Sequence, residues 1–149
     1  MINEGLQLYL IEAKKHQQQY KVELDELRED LLANNFKARD YRATERLLQI
    51  FTEMCIGLAK HWLKGLQGSS ANEAYQTFSL LKEHNQISSE ELTLWKKIIG
   101  MRNGLVHDYL NIDLLIIELI IKEQHYNQLN EFADKAIQHL QSKNNEQKL

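Results

Sequence analysis

Proline is absent from all 149 residues of this chain, where about seven would be average. Proline breaks helix interiors, so its absence removes the commonest helix stop. Together with abundant Leu, Glu, Gln, Lys and Ala, this reads as an all-α protein. Cysteine is nearly missing too. The single Cys55 excludes an internal disulfide, fits a reducing compartment, and reads as core packing on an apolar helix. The six histidines offer no close pair at metal-ligand spacing, and no C-x-x-C stands beside them, so no metal site is expected. No Gly-rich phosphate loop or Ser-His-Asp arrangement is present, and no cofactor is expected. Long apolar runs are lacking: the most apolar stretch, residues 112–121, is far short of the roughly 20 residues a membrane span needs. The N-terminus has neither the basic segment nor the apolar core of a signal peptide, so a cytoplasmic location is expected. An excess of positive charge is lacking too. A net charge of −3 excludes a globally basic nucleic-acid coat, although a local cationic cleft remains compatible with it.

What is present suits one helical domain, expected over residues 1–141, with a polar tail at 142–149. Leu6, Leu10, Ala13, Tyr20, Leu24, Leu27 and Leu31 make a first amphipathic stripe, with Gln17 in its one polar slot. A second helix is expected over about residues 39–64, with Leu47, Phe51, Met54, Leu58 and Trp62 inward and Gly65 to Gly68 as its stop. Ser70-Ala71-Asn72-Glu73 reads as a capping box opening a short helix. Ser88-Ser89-Glu90-Glu91 reads as a second box, opening a helix with Leu92, Trp95, Ile98 and Ile99 inward. Asn111 is the expected N-cap of one last helix reaching to about Gln141. The result is a bundle of four to five helices. Eight of the ten residues from Ile112 to Ile121 are apolar, only Asp113 and Glu118 interrupting. Such a segment must be covered nearly all round, either centrally within the monomer or, as small bundles favour, by a second subunit. A homodimer is the expectation.

Chemistry concentrates in Arg102-Asn103-Gly104-Leu105-Val106-His107-Asp108-Tyr109. In a continuous helix Arg102 and His107 would diverge by about 140°. Gly104, between them, permits a departure from helical geometry that would bring them together. An imidazole titrates near neutrality and can take a ribose 2′-OH proton. A guanidinium can hold two phosphate oxygens and stabilise a pentacoordinate transition state. The plainer alternative is that Arg102 caps its helix C-terminus while His107 packs. Lys37, Arg39, Arg42 and Arg46 form a modest basic stretch, either an RNA-backbone contact or a solvated, salt-bridged face with Asp40 and Glu45. Trp62 and Trp95 fall on core stripes, so base stacking by them is the lesser reading.

Arg-Asn-x-x-Val-His-x-Tyr before an Ile-rich final helix resembles the HEPN superfamily and its HepT branch. The runs Tyr41 to Gln49 and Phe78 to Glu83 are similar to that branch's second and third helical segments. The resemblance covers about residues 5–140. It implies a dimeric toxin with Arg102, Asn103 and His107 in a cleft at the dimer interface, cleaving RNA without metal. It also implies a partner, a minimal nucleotidyltransferase of the MntA type, which adds AMP to Tyr109 and silences the toxin. A higher oligomer in that complex is open. Asp108, at a variable motif position, adds negative charge near the phosphate site. The reading from another class is a non-catalytic HEPN module that docks such a nucleotidyltransferase and serves as its substrate.

Overall fold

The computed structural model describes residues 2–107 and 113–146. Six α-helices lie within them: α1 (Glu4–Leu32), α2 (Ala38–Gln67), α3 (Ala74–Glu83), α4 (Ser89–His107), α5 (Leu114–Lys122) and α6 (Asn127–Glu146). Helix α2 packs against all five others. Its apolar residues wrap more than one face: Leu47, Leu48, Phe51, Cys55, Leu58, Ala59, Trp62 and Leu63 are all buried. Leucine, isoleucine and aromatic positions from the surrounding helices close on that arc. Trp95 of α4 stacks on Phe78 of α3 at 4.1 Å and meets Phe132 of α6 edge-on at 4.9 Å. Burying each such ring stabilises the fold by about 2–3 kcal/mol. Cys55 donates its thiol to the Leu129 carbonyl, and burial pushes its pKa well up.

The polar slot in the α1 stripe has a structural use. Gln17 is buried, and its amide donates to Asp134 at 2.6 Å and to Asn130 at 2.9 Å, fixing the register of α1 on α6. Burial alone would raise the Asp134 carboxyl, but Lys14 and Gln17 outweigh it and hold the carboxyl low. Tyr126 does a similar job at the start of α6, donating to Asp25 of α1 at 2.5 Å.

The structure departs from the sequence reading in three places. Six helices lie among the described residues, because the expected last helix is two. Helix α5 ends at Lys122 with Gln124 in the left-handed region (φ 57°), and the Gln124 and His125 amides bond back to the Ile121 and Ile120 carbonyls. This is a Schellman turn without glycine, a signal the sequence hid because glutamine rarely adopts that conformation. Asn34 and Asn85 end α1 and α3 in the same way. The Ser70 box does not form: α3 starts at Ala74 with Glu73 as N-cap, while Ala71 is tucked into the core and Lys60 takes the Asn72 carbonyl. Residues 142–146, expected in a polar tail, continue α6. Asn144 is buried there, pairing with the Asn3 backbone at 3.0 and 3.2 Å. The described part of α5 begins on Asp113, whose carboxylate accepts the Leu115 amide; Asn111 lies outside the described residues.

Gln124→Gly is therefore expected to raise stability by about 0.5–1 kcal/mol, since glycine removes the steric cost of the left-handed turn. Thermal unfolding should show a midpoint higher by about 3 °C. An unchanged midpoint would mean the turn carries no strain in solution.

Candidate functional site

The second capping box forms as read. Ser88 accepts the Glu91 amide at 3.0 Å, and Glu91 accepts the Ser88 amide at 3.1 Å. From that start α4 runs unbroken to His107. Gly104 does not break it; Gly68, which closes α2, is the one described glycine with positive φ. Glycine permits a bend without compelling one, and buried Leu105 holds the turn against the core. Arg102 and His107 therefore stand about 140° apart on one rod, and a single chain does not turn them toward each other.

Their surroundings differ accordingly. Arg102 lies on the side of α4 that carries Trp95, Ile99 and Leu105, all buried. Arg102 itself is half-buried, with Nε covered and without a hydrogen-bond partner among the described residues. It sits five residues before the described end of α4, so simple capping of the helix C-terminus does not describe it. His107 and Asn103 are exposed. So are Lys96 and Gly100, which share their side of the helix; the spacing i, i+4, i+7, i+11 from Lys96 was readable in the sequence but went unused. Gly100 and Gly104 each weaken a helix interior by about 1 kcal/mol relative to alanine. A Cβ at either would meet nothing within 4 Å among the described residues, so packing there does not require them. Tyr109 and Asp108 lie outside the described residues.

Next to the last turns of α4 the surface is apolar. Helix α5 buries Ile117 and Ile121 but leaves Leu114, Leu115, Ile116 and Leu119 exposed, Leu115 at 70%. The central position within the monomer thus belongs to α2 and not to this segment. A groove of about 290 Å³, lined by Leu94, Ile98, Met101, Ile116, Leu119 and their neighbours, joins that face to α4. Tyr41 of α2 donates to Glu118 of α5, pinning the start of α2 beside the same face.

Lys37, Arg39, Arg42 and Arg46 are all exposed at that start. The three arginines fall within an arc of about 60° on α2. None of the four makes an ion pair among the described residues. Asp40 instead accepts the Lys37 amide at the helix N-terminus, at 2.8 Å. Among the described residues the basic stretch is an exposed face without ion pairs. Trp62 and Trp95 are both buried in the core, where they pack on neighbouring rings and present no open face to a base. Among the described residues no three His, Cys, Asp or Glu side chains converge on one point. No described helix is long and apolar enough to cross a membrane. A larger cavity, about 680 Å³, lies at the far end of the bundle between Tyr9, His61, Trp62 and His139. Burial, aided by Lys64 and Lys143, holds both of its imidazoles below their ordinary pKa. It is about 21 Å along α2 from the groove beside α4 and has no part in the motif.

This arrangement of helices is that of HEPN toxins. It matches a toxin–antitoxin structure with AMP-PNP at a TM-score of 0.75 and 22% identity, covering 86% of this chain and 97% of that one. It also matches the tri-AMPylated Shewanella oneidensis HEPN toxin in complex with MNT antitoxin, at a TM-score of 0.74 and 23% identity over 85% of this chain and 95% of that one. The chain belongs to the ribonuclease HepT-like family, whose model matches residues 17–136. It is 31% identical over 87 residues to the mRNA nuclease HepT of Shewanella oneidensis, and 33% identical over 70 residues to the tRNA nuclease HepT of Aphanizomenon flos-aquae. Those stretches are 58% and 47% of this chain, and 65% and 48% of the two relatives' own lengths.

Proposed function

We propose that this protein is a metal-independent RNA endonuclease, the toxin of a toxin–antitoxin system, acting as a homodimer. The observation that carries this reading is the Arg102-Asn103…His107 string at the exposed end of α4, in a member of a ribonuclease family. His107 takes the ribose 2′-OH proton, and the 2′-oxygen bonds to phosphorus as the bond to the 5′-oxygen breaks. The departing oxygen takes a proton from water, and the second copy's Arg102 holds the phosphoryl oxygens. The product is a 2′,3′-cyclic phosphate and a 5′-OH. The bare apolar face of α5, continuous with the groove beside α4, supports a two-fold contact that brings two motifs to one cleft. Lys37, Arg39, Arg42 and Arg46 hold the RNA backbone farther out.

Purified protein incubated with RNA in excess chelator is expected to cut it, leaving cyclic-phosphate ends. A strict requirement for a divalent ion would overturn the mechanism. No cleavage, with firm binding to a nucleotidyltransferase, would favour the non-catalytic docking module.

The silencing partner is a minimal nucleotidyltransferase of the MntA type. The Tyr109 oxygen bonds to the α-phosphorus of ATP as pyrophosphate leaves, placing charge and bulk beside the motif. Tyr109→Phe is expected to keep full cleavage and to escape inhibition when the partner and ATP are added. Undiminished inhibition of that variant would remove Tyr109 as the switch.

A further inference from the structure

Thr93, Lys96, Gly100, Asn103 and His107 follow one another at steps of three and four along α4, within an arc of about 80°. All five are exposed, and no carboxylate falls among them. Lys96 makes no ion pair among the described residues. Gly100 lies between Lys96 and Asn103, with open space where a side chain would stand. Gly104 widens the same bare strip of backbone toward His107.

We infer that this face of α4 is the track on which the RNA strand lies, with Lys96 binding a phosphate a few nucleotides from the cleaved one. The inference rests on the nuclease reading and adds to it residues that bind substrate without touching the reacting atoms. Lys96 is about 16 Å from His107 along the helix axis, close enough for a single extended strand to touch both. An exposed cation with no ion pair among the described residues gains most from a phosphate. Glycine where alanine would strengthen the helix leaves the backbone open for a strand to pass closely. Asn103, next to His107 on the track, offers an amide to the phosphate or ribose at the cleavage point.

The test uses a mixed-sequence, fluorescent single-stranded RNA bound to the full chain carrying His107→Ala, so that binding is read without cleavage. Adding Lys96→Ala is expected to weaken binding at least about fivefold and to flatten the log–log salt dependence by about 0.7, the share of one single-strand phosphate contact. Adding Gly100→Gln instead is expected to raise the unfolding midpoint while weakening RNA binding at least about fivefold. That opposition separates an obstructed track from a damaged fold. Unchanged affinity in both variants would overturn the inference. So would loss of the dimer in Gly100→Gln at unaltered RNA affinity, since the strip would then be covered by a second copy. If the otherwise wild-type chain fails to cleave RNA while both binding effects persist, the nuclease reading falls and the track stands.

Discussion

His107→Ala is expected to lower the rate of RNA cleavage by about 10³-fold, within the range a positioned general base contributes. The side chain is exposed at the described end of α4, so its removal leaves the bundle intact and the loss belongs to chemistry. Arg102→Ala should cost about 10²–10³-fold by removing charge stabilisation of the phosphoryl oxygens. Arg102 is half-buried against the α4 core face, so its variant needs a second measurement. Arg102→Lys keeps a cation and most of the stem but loses the two-pronged grip on phosphate. It should match wild type in unfolding midpoint and still cleave at least tenfold more slowly. Cleavage that persists in both alanine variants would dismiss the site.

Arg102→Ala and His107→Ala chains, each inactive alone, are expected to regain activity when mixed and allowed to exchange. The two side chains diverge on one unbroken helix, so on the proposed two-fold contact the effective pair is Arg102 of one copy with His107 of the other. A mixed dimer then holds one wholly intact site and one doubly depleted site. Half of the dimers in an equal mixture are mixed, so about a quarter of wild-type activity should return. If each site lay within one chain, no dimer in the mixture would hold an intact one. Leu115→Glu supplies the companion result. Leu115 is 70% exposed in the monomer, so glutamate costs the isolated fold little. Across an apolar two-fold contact it meets its own copy as an unpaired buried charge. Sedimentation should show monomers, with cleavage falling at least about 10²-fold. A dimer that survives, or an active monomer, would place the contact elsewhere.

Much of this protein was legible as sequence because its signals are periodic. Leu10, Leu24 and Leu27 of α1, and Phe51, Leu58 and Trp62 of α2, are buried where helical spacing puts them. Ser88 and Glu91 cap α4 as their identities require. The failures share a cause: local chemistry overruled by tertiary context. Gln124 accepts a left-handed turn because Tyr126, two residues on, is anchored on Asp25 of α1. Ser70 offers a cap that is not used, because burial of Ala71 delays the helix. Asn144 looks like frayed tail until its amide finds the Asn3 backbone, 141 residues away in sequence. At the site, the residue types were readable and their directions were not. Gly104 allows a bend, and only the packing of Leu105 decides that none occurs. Lys96 belongs to no motif string, and only the side of the helix that it shares with His107 singles it out.

The unbroken course of α4 also bears on how the proposed activity answers to dose. On the shared-site reading, one newly made chain carries half of each of two sites and completes neither. Below the dissociation constant of the pair, cleavage grows with the square of chain concentration, so halving the amount removes three-quarters of the activity. A trace of protein then cuts almost nothing, and a modest rise in expression brings a disproportionate rise in the proposed cleavage.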